Sequence, residues 1–325
     1  MKLLILCPGK IPQTTEGIKC FTDILNYYIP LSLKQVAETD VIKIPSTDGP
    51  ELKKIFSEIP VAGYDAIITL GLRFYNKIPI DTTQLIRSRF NGLFCQTYDG
   101  TRLDNDPVDI TFTFKNDDER MKVNSWWYSR HKKYNECIGW AADSSLNTPM
   151  QDPSCLRILI DHTNYGDNPT DNTVDIILQV KELVDSGIWK TKYNSIMVRR
   201  FDSGKIIDVD FEDLSIRPYD RTAIPFTEIT KEHGKAHIFM VTHPESVGLV
   251  VLETSMAGAL TVVPDGYIQN DRLQTVRHYK YSDRIEWDKV LQLVDPTKSR
   301  KVAESNSWNK VASTIIEILT RRKND

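Results

Sequence analysis

The chain reads as an α/β protein of two domains. Short apolar runs, too brief for helices and rich in bulky residues, alternate with longer segments of helical periodicity. The length, 325 residues, is that of two ordinary domains, each able to bury its own core. The stretch 236–266, AHIFMVTHPESVGLVVLETSMAGALTVVPDG, runs strand, turn, helix, strand, which is a parallel crossover.

Taken in order, residues 2–7 form the first apolar run and the first expected strand. The loop PGKIPQTTEG follows, with Gly9 and Gly17 far apart, so plain turn chemistry explains it better than a phosphate loop. An amphipathic helix is expected over 18–29, stopping before Pro30. Further strands are expected at 40–44, 66–70, 93–96 and 110–114, which makes this half a largely parallel layer. Arg73 stands just past the strand 66–70, where open α/β sheets bind ligands, although a single arginine also fits a surface position.

NSWWYSRHKKY, residues 124–134, joins aromatics to Arg130, His131, Lys132 and Lys133. It suits a nucleic-acid or phosphate contact, and suits better a helix with its tryptophans partly in the core and a solvated basic face. A short strand is expected near 138–143. The polar run SSLNTPMQDPS then marks a boundary at 144–154, dividing the chain into 1–148 and 149–325. In the second half we expect strands at 157–161 and 195–198, a helix over 173–184 capped by Asp171 or Asn172, and a helix over 228–234. In the last segment Trp308, Val311, Ala312, Ile315 and Leu319 make an apolar stripe at helical spacing.

The stretch 236–266 carries the chemistry. Residues 238–241 and 260–263 are the strands, and Val247, Val250, Val251, Thr254 and Ala257 give the helical period over 246–258. Glu245 and Glu253 are about two helical turns apart, so both carboxylates can follow one edge. Between them Ser246, Val247, Gly248 and Leu249 offer backbone N–H groups at a helix start, where phosphate is favoured. Two solvated or capping acids on an amphipathic helix would explain the glutamates alone; a carboxylate near each end of a phosphate-binding turn also suits hydroxyl-rich groups flanking a diphosphate.

ESVGLVVLETSMAG resembles the E-x7-E region of retaining glycosyltransferases of the GT-B fold, especially family 4. The resemblance implies two Rossmann-like domains facing a cleft, with a nucleotide sugar held by the second and an acceptor by the first. It implies Glu245 on the donor sugar, Ser246, Val247, Gly248 and Leu249 on the diphosphate, and Glu253 on the ribose hydroxyls. It brings Gly9, Lys10, Arg73 and His162 toward the cleft as candidates, reads 281–294 as a late helix, and lets the last helix pack back on the first domain. It calls for no metal and no cofactor beyond the donor. The chain departs from the family after the strand 157–161, where an Arg and a Lys usually meet the diphosphate: HTNYGDNPTDN has no basic residue. That charge would then fall to Arg199, Arg200, Lys205 or the helix N-terminus.

Composition sets bounds. Hydrophobic residues at 40% and charged residues at 26% are ordinary for a globular protein, and a formal net charge of −3 gives no general attraction to nucleic acid or anionic membrane. The apolar N-terminal run is too short for a signal peptide, and no run nears the roughly 20 apolar residues of a membrane span. Five scattered cysteines without C-x2-C spacing fit a reduced, cytoplasmic protein with no zinc site. Asp104-Asn105-Asp106 reads as a polar loop. The expected function is retaining sugar transfer from a nucleotide sugar to a glycan, a small molecule or modified DNA, with the oligomeric state open. Alternatives are a glycosyltransferase acting on hydroxymethylated DNA bases through Arg87, Arg89 and the 130–133 cluster, a catalytically silent nucleotide-binding module, and an epimerase or phosphorylase of the same architecture.

Overall fold

The computed structural model describes residues 1–19, 21–45, 49–70, 80–97, 108–114, 135–154, 156–161, 172–186, 195–200, 219–220, 225–244, 248–268 and 270–324. The chain forms two compact units, one made of the described residues up to Trp140 together with those from Trp308 onward, the other of Ala141–Ser307.

In the first unit β1 (Lys2–Pro8), α1 (Phe21–Leu33), β2 (Glu38–Ile44), α2 (Gly49–Glu58), β3 (Ala66–Thr69), α3 (Ile80–Arg87), β4 (Leu93–Thr97), β5 (Ile110–Thr113) and β6 (Asn135–Cys137) follow one another. The sheet order is β2-β1-β3-β4-β5-β6, every neighbouring pair parallel. Residues 3–7 of β1 are fully buried, as a strand covered on both faces must be. Phe56, Phe94, Ile67 and Ile86 join Leu4 and Leu6 in one apolar cluster.

The second unit carries β7 (Arg157–Asp161), α4 (Thr173–Asp185), β8 (Ser195–Arg200), β9 (Tyr219–Asp220), α5 (Phe226–Lys235), β10 (Ile238–Val241), α6 (Leu249–Met256), β11 (Leu260–Pro264), α7 (Asn270–Leu273), β12 (His278–Tyr281), α8 (Trp287–Leu293) and α9 (Pro296–Ala303). Its sheet order is β12-β11-β10-β7-β8-β9, again all parallel. Counted from β7, that is the 3-2-1-4-5-6 order of doubly wound nucleotide-binding sheets. The final helix, α10 (Trp308–Asn324), belongs to the first unit: Trp308 stacks on Tyr28 of α1 at 5.1 Å with planes 3° apart, and Arg322 reaches Glu136 at 2.9 Å. Among the described residues no helix is long and apolar enough to cross a membrane.

Four sequence expectations need correction. Helix α1 runs through Pro30 to Leu33: Pro30 forfeits only one helical bond, and Ile24, Leu25, Tyr28, Ile29 and Leu33 bury an apolar face that outweighs the loss. The strand expected at 138–143 lies earlier, as β6, because Gly139 takes φ 75° and ends the extended run. Tyr281 closes β12 in register with Pro264, so the late helix starts only at Trp287. The helix expected over 246–258 is shorter, spanning Leu249–Met256, for a reason that belongs to the site.

Candidate functional site

In the second sheet the strand order reverses between β7 and β10. Chain leaving β7 proceeds to β8 and β9, while chain leaving β10 proceeds to β11 and β12. At such a switch point the connections diverge to opposite faces and leave a crevice beyond the carboxyl ends of the strands. Here those ends are Asp161 and Val241, paired in register. Asn172, immediately before α4, donates its backbone N–H to the Thr242 carbonyl at 3.0 Å, tying the two connections together. Thr242 and His243 are buried, with Oγ1 and Nδ1 3.1 Å apart.

Glu245, Ser246 and Val247 lie outside the described residues. The chain continues at Gly248, whose φ of 67° and ψ of 38° are left-handed, a conformation that favours glycine. This turn delays the helix to Leu249. No side chain caps it, and the Leu252 amide bonds back to the Gly248 carbonyl at 3.3 Å. The amides of Leu249, Val250 and Val251 therefore have no acceptor within the helix, the ordinary state of a helix start and one suited to an anion. All eight residues of α6 are buried, so it is a core helix rather than an amphipathic one.

Glu253, on the second turn of α6, is 3% exposed. Its Oε2 lies 3.7 Å from Nδ1 of His233 in α5, which is fully buried. That distance is too long for a hydrogen bond and short enough for an ion pair. Sequence reasoning missed His233; the only signal was a histidine in EHGKAH, one helix ahead of the motif strand.

The geometry of the pair is held from the segment 144–151. Gln151 Nε2 donates to the Ala236 and Ala257 carbonyls, both at 2.8 Å, at the ends of α5 and α6. Met150 N–H donates to the Gly234 carbonyl at 2.8 Å, and a Cβ at Gly234 would sit 2.5 Å from the Thr148 oxygen, so only glycine fits. The Arg300 guanidinium of α9 donates to the carbonyls of Asn147, Met256 and Ser144 at 2.8, 3.1 and 3.1 Å. Beside β10, His237 accepts the Arg157 N–H on Nδ1 at 3.1 Å; burial, with Arg157 adding to it, holds its pKa below the usual histidine value.

The other sequence candidates scatter. Gly9 takes φ 65° and donates to the Ile44 carbonyl at 2.7 Å, which makes it a turn residue at the end of β1, and Lys10 is exposed beside it. Arg199 and Arg200 end β8, in register with Tyr219 and Asp220 of β9, at the carboxyl edge of the second sheet. Arg73, His162 and Lys205 lie outside the described residues, as do residues 104–106 and 124–134. Arg87 and Arg89 serve the fold: Arg87 donates to Gly92 O and pairs with Asp109 at 3.1 Å, and Arg89 donates to Phe56 O, Ile59 O and Leu85 O. Among the described residues no three His, Cys, Asp or Glu side chains gather to hold a metal.

No family model and no curated protein matches the chain. Solved structures do. Sucrose-phosphate synthase from Thermosynechococcus elongatus superposes with a TM-score of 0.58 at 12% identity over 99% of each chain. The fold is GT-B. A trehalose-6-phosphate synthase, described for enzymatic glycosyltransfer with retention, gives 0.55 at 10% identity over 99% of each chain. The UDP-GlcNAc 2-epimerase from Neisseria meningitidis, bound to UDP-GlcNAc, gives 0.52 at 12% identity over 99% of this chain and 100% of the other. Within the GT-B second unit, then, one sheet edge brings together a helix start able to receive an anion and, a turn further on, a carboxylate able to accept hydrogen bonds from hydroxyls.

Proposed function

We propose that this GT-B chain is a glycosyltransferase that moves a sugar from a nucleotide-sugar donor to an acceptor with retention of anomeric configuration. The observation that carries the reading is the position of residues 248–253, the described part of the E-x7-E stretch: they follow β10 at the switch point of a 3-2-1-4-5-6 sheet, with Gly248 left-handed at the start of α6. In this reading residues 149–325 hold the donor, save the last helix, and residues 1–148 hold the acceptor, with Gly9, Lys10 and Arg73 as candidate contacts and His162, from the second half, as a further acceptor or cleft candidate. Glu253 accepts the ribose hydroxyls, and the amides from Ser246 to Leu249 receive the diphosphate. Arg199, Arg200 and Lys205 supply the positive charge, since residues 162–172, directly after β7, include neither Arg nor Lys.

Chemistry follows from that placement. The bond between the anomeric carbon and the diphosphate oxygen breaks, leaving an oxocarbenium-like sugar. The acceptor oxygen bonds to the same face, and its proton passes to the departing phosphate. Glu245 stabilises the positive charge as it develops, so its contribution is larger in the transition state than in the bound donor. The trehalose-6-phosphate synthase of the same fold supports the stereochemistry. Neither a metal nor a cofactor takes part, and the cytoplasm is the proposed setting.

A second reading, nucleotide-sugar epimerase, is favoured by the like-folded UDP-GlcNAc 2-epimerase. Incubation with a panel of UDP-, GDP- and ADP-sugars, with candidate acceptors and EDTA, separates the two. Transfer is expected to release free nucleoside diphosphate and to survive chelation. An isomerised sugar still on its nucleotide would establish the epimerase, and dependence of transfer on manganese would contradict the metal-free mechanism.

A further inference from the structure

We propose that His233 is a positioning residue for nucleotide binding: from α5 it holds the buried Glu253 carboxylate in the place in which it accepts donor hydroxyls. The inference rests on the reading of Glu253 given above. It goes further by assigning a role to a residue outside the E-x7-E stretch.

A carboxylate taken out of water is stable as an anion only beside opposite charge or hydrogen-bond donors. The Glu253 side chain is 4% exposed, and the His233 imidazole, 0% exposed, stands 3.7 Å from its Oε2. The other basic side chains of α5 are engaged elsewhere, Lys231 with Glu228 and Lys235 with Glu232. His233 is thus the side chain of α5 that faces the Glu253 carboxylate of α6. The separation is also fixed, because Gln151 bridges the carbonyls that follow the two helices and Met150 binds Gly234, the neighbour of His233. A partner set so rigidly fixes the carboxylate in turn, and a hydroxyl acceptor displaced by even an ångström loses much of its affinity.

A double-mutant cycle on the full chain, read by calorimetry with UDP, ADP and GDP as probes, tests this. H233L removes the ring nitrogen at similar volume, H233N keeps a donor near the Nδ1 position, and E253Q removes the carboxylate charge. We expect H233L to weaken binding of the preferred nucleotide about tenfold and H233N less than about threefold. In an E253Q background H233L should cost less than about twofold more, because the two residues act as a unit. Unchanged affinity in H233L, or losses that multiply in the double variant, overturns the positioning role while leaving Glu253 in the site. If H233L does not fold, H233A takes its place in the cycle: a loss of about tenfold in the folded protein, absorbed in the E253Q background, supports the role, and unchanged affinity overturns it. No binding of any probe to the wild-type protein, or unchanged affinity in E253Q, defeats the underlying reading and this inference with it.

Discussion

The two units are built alike and filled differently. Each has a six-stranded parallel sheet. The buried polar side chains described in the first unit are all neutral: Asn26, Ser32, Thr69, Thr83, Thr97, Thr111 and Thr113. The second unit buries His233, His237, His243, Glu253 and Arg272. Burying an ionisable group costs several kcal/mol unless it is paired, and a core built for stability alone has little use for it. Among the described residues, then, the buried charged and histidine side chains that point to a candidate site gather in the second unit.

The largest expected effect lies in the first unit. Phe94 is fully buried in the cluster with Phe56 and Leu6, so Phe94→Ala should destabilise the first unit by about 3–5 kcal/mol through lost burial and a cavity. Denaturant unfolding reads that loss. Nucleotide affinity of the folded protein should stay within about twofold, since no part of the donor site is altered; a tenfold drop would break the contrast between the halves.

A smaller effect sharpens the contrast from the other side. Because the folded pKa of His237 lies below its unfolded value, the unfolded chain takes up a proton near pH 6.5 that the folded chain refuses. Its contribution to stability is complete above that pH and falls as pH drops through the window beneath it. His237→Asn, which keeps an acceptor for the Arg157 N–H, should flatten the melting-temperature profile between pH 7 and pH 5 relative to wild type. Parallel profiles would mean that the buried imidazole is not held neutral.

The α/β class and much of the strand pattern were legible in sequence because short runs of bulky residues admit few readings. The runs at 157–161 and 238–241 coincide with β7 and β10. What periodicity could not supply was context. Pro30 reads as a stop, yet the face buried by α1 carries the helix past it. Gly248 reads as one more helical position, yet its left-handed turn moves the start of α6. The E-x7-E spacing singled out Glu253 without revealing that it is buried or that it meets His233, twenty residues away on another helix. Arg87 and Arg89 looked like a basic cluster because sequence shows charge and hides the carbonyls and the Asp109 carboxylate that occupy it.

The central claim is that a nucleotide binds at the switch point of the second sheet. Hydrogen exchange of the full chain, with and without saturating UDP or the best-binding nucleotide, reads this amide by amide. The account predicts slowed exchange over 242–253 and at the start of α4, around 172–176, with the amides of β1 and the loop after it unchanged. Protection confined to the first unit, with 242–253 exchanging as before, would contradict it.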